Sequence, residues 1–221
     1  LLYLYNFRVL DLDRIPYMSG FIKNVYAFIN LGMAGFVMAT VAVRFVFPAV
    51  SAEGQAFWII RTSPISMHDF LWSKFWTAVV PVLVFTEVLT IAANELLGVD
   101  PFLKLVSPAA ILFLTFALVG LAAGLGARYP RFHADATQAA GSYGGVMFMI
   151  AAVALIIVTI VLVGWPSSMY LLSLTGRFRY RLTPERQAMI AASFSAAAAL
   201  CMATWWLAMR SGVKALDEMR K

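Results

Sequence analysis

The ionisable side chains of this 221-residue sequence are few, and their types and spacing match no common catalytic or metal-binding motif. No HExxH, CxxC or GxSxG motif is present, and the two histidines, His68 and His133, have no cysteine or cluster of carboxylates beside them. Two histidines alone make a poor metal site. The sequence also lacks a GxxxxGK(S/T) phosphate-binding loop. We therefore expect no cofactor or metal in this chain, and we expect that it is not an enzyme.

Glu87 is the ionisable residue that most needs an explanation, because it lies near the middle of a long apolar segment. A charge at that depth in a bilayer costs about 2.5–3.5 kcal/mol, so the side chain must face the helix bundle or a wet cavity, be protonated, or meet a donor. Two interpretations stay open. Glu87 is either a carboxylate on a substrate or proton pathway, or a structural hydrogen-bonding group between helices.

A polar stretch at 51–74, SAEGQAFWIIRTSPISMHDFLWSK, separates two long apolar segments. We predict a short helix over 52–61 that ends before Pro64, because the residue before a proline is disfavoured in the α region. Ser66 is the predicted N-cap of a second helix, with Asp69 completing an approximate capping box. This second helix should continue into the next apolar segment. A bent amphipathic element with tryptophans suits either a docking surface or an anchor among lipid head groups.

The composition indicates an integral membrane protein, since 62% of the residues are hydrophobic and 13% are charged, against about 25% charged in soluble domains. The net charge of +6 does not indicate nucleic-acid binding, because the basic residues are scattered at the ends of apolar segments. There they suit lipid head groups. The single cysteine, Cys201, excludes a disulfide within the chain.

We predict an all-α, polytopic fold with one transmembrane domain over 1–221. Residues 1–10 are interpreted as the end of a preceding span, so the chain resembles a fragment of a longer protein. Gly120 and Gly124 have the small-xxx-small spacing that lets helix backbones approach closely. The five predicted full spans are 21–46, 75–97, 106–127, 144–164 and 188–209.

The orientation of the spans is not decided by their flanking charges. If the element at 51–74 is cytoplasmic, alternation puts the loop at 128–142 and the tail at 210–221 on the same side. The basic residues then divide almost evenly between the two sides, so the positive-inside rule gives no answer. The cytoplasmic assignment of 51–74 therefore depends on what that element does.

The spacing Glu53…Pro64-x-Ser66…Lys74 resembles that of the permease subunits of ABC transporters of the type 2 exporter class. The segments NLGMAGFVMATVAVRFVFPAVSAEGQAFWIIRTSPIS and GLGARYPRFHAD are similar to the carboxy-terminal half of bacterial ABC exporter permeases. The resemblance implies that 51–74 is a cytoplasmic coupling helix. It would insert into a groove of a partner ATPase subunit, which binds ATP and Mg, and transmit its motion.

The resemblance also implies a set of site residues and partners. The partners would be a cytoplasmic ABC ATPase, membrane lipids, and a second permease half or other membrane chain, with no nucleic acid. The location would be the bacterial cytoplasmic (inner) membrane. The residues that match the coupling motif, or that add an aromatic anchor to it, are Glu53, Phe57, Trp58, Arg61, Pro64, Ser66 and Lys74.

Two functions remain for comparison with the structure. The first is a permease subunit of an ATP-driven exporter, with Glu87 as a possible pathway residue. The alternative is a structural or assembly subunit of a larger membrane complex without its own transport cycle, with permanent packing surfaces at Gly120, Gly124, Gly141, Gly144 and Gly145. An intramembrane enzyme fits poorly, because Glu87 has no evident catalytic mate.

Overall fold

Almost all of the described residues are helical. A computed structural model describes residues 19–132, 136–174 and 184–220, and no strand occurs among them. The predicted all-α fold is therefore confirmed. The helices are α1 Ser19–Val41, α2 Phe57–Thr62, α3 Met67–Leu97, α4 Pro101–Arg128, α5 Ala136–Ala140, α6 Tyr143–Leu174 and α7 Pro184–Arg220.

Within the part of the chain that the structure describes, five helical segments are long and apolar enough to cross a membrane, which agrees with the predicted polytopic helical fold. The predicted end of a preceding span at 1–10, His133, and the arginines at 177, 179 and 181 lie outside the described residues. The five segments are Phe28–Gly54, Met67–Leu97, Pro101–Arg128, Tyr143–Tyr170 and Pro184–Arg220.

The first span changes its helix type before it leaves the bundle. After α1 the chain forms a π-helical turn at Ala42–Val46 and a 3-10 turn at Phe47–Ala49. Pro48 lies in this last turn, where it has no backbone N–H to donate to a preceding carbonyl. Gly126 of α4 packs directly on the Phe47 backbone, and a Cβ at position 126 would overlap the Phe47 carbonyl oxygen. The end of the first span is thus fixed against α4.

The most extensive helix packing joins α4 to α7. Gly120 faces the Trp205 side chain, and a Cβ at Gly124 would overlap the carbonyl oxygen of Ala208. Gly212 faces Gly124 in turn. Small residues allow this approach, which is how transmembrane helices gain van der Waals contact when lipid supplies no hydrophobic driving force. The close approach predicted from the Gly120 and Gly124 spacing is confirmed.

Helix α6 runs past the predicted end of its span at 164 and through Pro166. A proline inside a helix leaves the carbonyl four residues earlier without its N–H donor. Here that carbonyl belongs to Leu162, and it accepts a hydrogen bond of 3.0 Å from the Ser193 hydroxyl of α7. Hydroxyls of neighbouring helices are among the groups that satisfy a backbone broken by proline in a membrane. Helix α6 therefore continues where the sequence suggested a polar connection.

Helix α7 also extends beyond the predicted span, to Arg220, so our expectation of a separate tail from residue 210 is wrong. Gly212 and Leu216 remain buried, because they continue the face of α7 that packs on the bundle. Gly212 contacts α3 through Leu71 and α4 through Gly124. Helix α7 therefore remains packed against α3 and α4 beyond the end of its predicted span.

We expect Gly124→Ala to destabilise the protein, because the added methyl group must push α4 away from the Ala208 backbone. Overpacking of this kind costs about 1–3 kcal/mol. Thermal unfolding in detergent, followed by circular dichroism, measures the effect. Gly141→Ala is the matched control, since a Cβ there meets ordinary contacts at 3.6 Å and beyond. Equal melting temperatures for the two variants would contradict the packing described.

We expect Ser193→Ala to cost about 0.6 kcal/mol, the average for a hydrogen bond between membrane helices, because the Leu162 carbonyl loses its donor. Pro166→Ala restores an N–H four residues beyond Leu162. Ser193→Ala should therefore cost less in the Pro166→Ala background, and a double-mutant cycle of unfolding free energies tests this. An unchanged cost in that background would show that Ser193 does not compensate for the proline.

Candidate functional site

The polar stretch at 51–74 begins with a tight turn rather than with the α-helix that we predicted over 52–61. Residues Ser51–Ala56 form a 3-10 helix, and α2 begins only at Phe57. Gly54 has φ +52° and ψ −133°, a conformation that residues with a Cβ rarely adopt. The prediction of one regular helix is wrong because this glycine interrupts it.

The turn between α2 and α3 follows the local sequence signals. Ser63 is extended, with φ −73° and ψ 158°, as expected before Pro64. The Asp69 N–H donates to Ser66 Oγ at 3.0 Å, and the Ser66 hydroxyl donates to Asp69 Oδ2 at 2.7 Å. The predicted N-cap at Ser66 is confirmed. Helix α3 then runs without interruption from Met67 to Leu97, as we expected from the sequence.

An ion pair between Glu53 and Lys74 joins the first turn of the stretch to α3. The two side chains are 26% and 31% exposed, respectively, so the pair is partly shielded from water. The Lys74 ammonium also lies 5.6 Å from the centre of the Phe70 ring. Two residues that are 21 positions apart in sequence thus hold the stretch in one folded unit.

Phe57 is an internal residue of this unit and not part of its surface. Its ring stacks on Phe132 with 4.6 Å between ring centres and meets the edge of Phe70 at 6.2 Å. The loop that supplies Phe132 is held a second time, because the Arg131 N–H donates to Ser51 Oγ at 3.0 Å. The loop after α4, to which the sequence assigned no role, therefore braces the stretch from the inside.

The end of α7 is hydrogen-bonded to the turn between α2 and α3. The Arg220 guanidinium donates to the carbonyl oxygens of Ser63 at 3.1 Å and Ile65 at 3.2 Å. Arg61 Nε donates back to the Arg220 carbonyl at 3.4 Å. Sequence reasoning missed Arg220, since the contacts join residues 155 and 157 positions apart and no local pattern marks them.

The outward side of the unit carries three large apolar side chains. Trp58, Ile59 and Ile65 are 65%, 53% and 50% exposed, and we name them the elbow patch. Arg61 and Pro64 are exposed beside them. Large exposed apolar side chains beside polar ones are found at protein and membrane interaction surfaces. The structure thus divides the predicted docking residues into an outer set and an inner bracing set of Glu53, Phe57 and Lys74.

Glu87 lies far from this unit, on α3, and is half-buried. Its neighbours Val84 and Val88 are 58% and 61% exposed, so this side of α3 faces away from the bundle. No hydrogen bond or ion pair joins Glu87 to another described residue. The described helices therefore supply no partner for it, and its pathway role stays a prediction.

We expect Glu53→Lys to loosen the stretch, because it places two cations together where the Lys74 pair now lies. Lys74→Glu should do the same, and the double exchange should restore the pair. The expected cost of each single change is about 1 kcal/mol, in line with partly exposed pairs. Hydrogen–deuterium exchange of amides 51–62 measures the loosening. Lys104→Glu is the control, since it breaks a pair with Glu95 at the far end of α3. Unchanged exchange in both single variants would contradict the bracing role.

Comparison with known proteins gives one family. A family model with the description "Putative ATP-binding cassette" matches residues 1–220. No curated protein and no solved structure matches the chain. The description corrects our expectation that the chain is not an enzyme, because an ATP-binding cassette points to an ATPase.

The ATP and magnesium that this description implies need a phosphate-binding loop and metal ligands. The sequence has no GxxxxGK(S/T) loop. Among the described residues, no group of three or more His, Cys, Asp or Glu residues is placed to hold a metal ion. These residues do not fit a nucleotide site of that type, and no step of ATP chemistry is assigned to them. Because the family model covers almost the whole chain, the chain belongs to this ATP-binding cassette family of ABC transporter proteins.

Proposed function

We propose that the chain is the membrane-spanning permease subunit of an ATP-driven ABC exporter in a bacterial cytoplasmic membrane. The stretch at 51–74 would be its coupling element, and a cytoplasmic ATPase subunit with bound ATP and Mg would dock on it. The observation that carries the proposal is the elbow patch. Its apolar side chains face outward, while the element that bears them is joined covalently and by the Glu53–Lys74 pair to α3.

Motion at the elbow patch has two routes into the membrane. The first is α3, whose 31 residues make a continuous rod of about 46 Å. The second is α7, because Arg220 holds the carbonyls of Ser63 and Ile65. Helix α7 in turn packs on α4 at Gly124. A displacement of the stretch at 51–74 would therefore act on both α3 and α7 rather than on a single helix.

The substrate pathway would run along the outer side of α3, where Glu87 lies between the exposed Val84 and Val88. A carboxylate in that position needs a partner or a wet surface. A second permease half or another membrane chain would complete the pathway against this side. The role of Glu87 would then be to contact the substrate, or a proton that moves with it.

The alternative of a structural or assembly subunit has less support. That reading relied on glycine-rich faces being available to other chains. Within this chain Gly120 and Gly124 face α7, Gly144 faces Tyr129, and Gly145 faces the Ala140 backbone. These four glycines are used for internal packing, so they are not free surfaces for a permanent partner. Gly141 differs, because it is exposed and a Cβ there would meet nothing closer than 3.6 Å.

The proposal predicts that Trp58→Ala combined with Ile65→Ala abolishes coupling while the protein still inserts and folds. Loss of two exposed apolar anchors should weaken binding of a co-expressed ABC ATPase subunit about thirtyfold, if each anchor contributes about 1 kcal/mol to the binding free energy. The measurements are the affinity of the ATPase for the chain in nanodiscs and the change in ATP hydrolysis when the chain is added.

Trp165→Ala is the matched control, because Trp165 is also 65% exposed but lies near the other end of the bundle, on α6. It should leave ATPase binding unchanged. Wild-type affinity and ATP hydrolysis with the Trp58→Ala/Ile65→Ala variant would overturn the coupling role. Equal losses in that variant and in Trp165→Ala would assign the effect to general disturbance rather than to docking.

A further inference from the structure

A groove of about 400 Å³ lies between the start of α3 and the last turns of α7. Nothing in the proposed coupling role uses it. The residues that give it its chemistry are His68, Trp72, Trp206, Arg210, Lys214 and Asp217. Met209 and Val213 complete its apolar wall. The groove thus combines aromatic, apolar and cationic groups within one concave surface.

The groove has two tryptophans in its wall. Trp72 is packed against neighbouring rings, whereas Trp206 is exposed. Trp72 meets Trp205 edge to face, with 5.6 Å between ring centres, and His68 lies 5.5 Å from the Trp72 ring. Trp206 is 55% exposed. Tryptophan is enriched where the hydrocarbon core meets the head groups. The groove lies at that level, because α7 passes here from its apolar residues to the charged residues of its last turns.

The cationic side consists of Arg210 and Lys214, one turn apart on α7 and both exposed. Neither forms an ion pair or a side-chain hydrogen bond with any residue that the structure describes. Asp217 is the one carboxylate in the lining. Arg128 lies with Lys214 along an adjoining groove, where Glu218 is the acidic residue. The lining therefore has a net positive charge even with His68 neutral.

We propose that this groove binds an anionic phospholipid. The lipid phosphate would lie between Arg210 and Lys214, and the glycerol and upper acyl chains would contact Trp72 and Trp206. Basic pockets between transmembrane helices are suited to acidic head groups. A lipid, rather than a free anion, is indicated because the cations adjoin an apolar and aromatic wall that a free phosphate would not use. The inference depends on the membrane-spanning helices and not on the coupling role.

The test measures lipid binding to the full chain in detergent by native mass spectrometry, with phosphatidylglycerol and phosphatidylcholine as probes. Phosphatidylglycerol should bind more tightly, and R210Q/K214Q should weaken it about thirtyfold, from the loss of two charges near the surface. The matched control is K104Q/R186Q, which removes two cations far from the groove on α4 and at the start of α7. Equal affinity of wild type for the two lipids, or wild-type binding by R210Q/K214Q, would overturn the proposal.

Further variants separate the lipid from other occupants. W206A should weaken phosphatidylglycerol binding, whereas L207A, which removes a neighbouring side chain that is 64% exposed, should not. The charge-conserving exchange R210K/K214R should retain binding, and loss of binding in this variant would overturn the charge argument. Full displacement of the lipid by millimolar inorganic phosphate would make the groove a free-anion site. If R210Q/K214Q binds lipid normally but no longer retains a co-expressed ABC ATPase subunit, the groove is instead a protein-docking surface.

Discussion

The contact between the backbones of α4 and α7 at Gly124 is the constraint on which the rest of the arrangement depends. Lipid is as apolar as a leucine side chain, so membrane helices gain little from burial and must gain from close packing. With glycine at 124 and 212, the two helices approach until only backbone and short side chains separate them. This crossing sets the direction of α7, which continues as one helix to Arg220. The direction of α7 in turn places Arg220 beside the turn between α2 and α3.

A second constraint comes from the backbone itself, because a polar group within the bilayer has no water to bind. The structure meets it across helices at Pro166, where Ser193 donates to the Leu162 carbonyl. At the membrane surface, charged side chains join the polar stretch to the helices beside it. Glu53 pairs with Lys74, and Arg220 donates to two carbonyls in a turn that has no helical partners for them. These contacts convert a polar interruption into a folded unit.

In the proposed function, this unit would transmit a motion outside the membrane to α3 and α7. Its inner side is closed by the stacking of Phe57 on Phe132 and by the ion pair, so its parts move together. Its outer side presents the elbow patch. The chain belongs to the family with the description "Putative ATP-binding cassette". This unit is continuous with α3 and is hydrogen-bonded to the end of α7 through Arg220.

The sequence alone determined the features that depend on neighbouring residues. The apolar segments predicted an all-α membrane fold, the residue before Pro64 is extended, Ser66 caps α3, and the Gly120 and Gly124 spacing indicated a close helix crossing. Each of these follows from local backbone geometry or from the length of an apolar run.

Only the tertiary structure decided which of the predicted docking residues face outward. The sequence suggested that Phe57 is an exposed aromatic anchor. In the structure it is buried, because Phe132 and Phe70 lie against it. Arg220 lies in a segment that we expected to be a tail, but its side chain is hydrogen-bonded to the turn between α2 and α3. The groove at Arg210 and Lys214 likewise exists only where α7 passes α3. Contacts between residues this far apart in sequence depend on helix directions, and those directions are set by packing that no local pattern records.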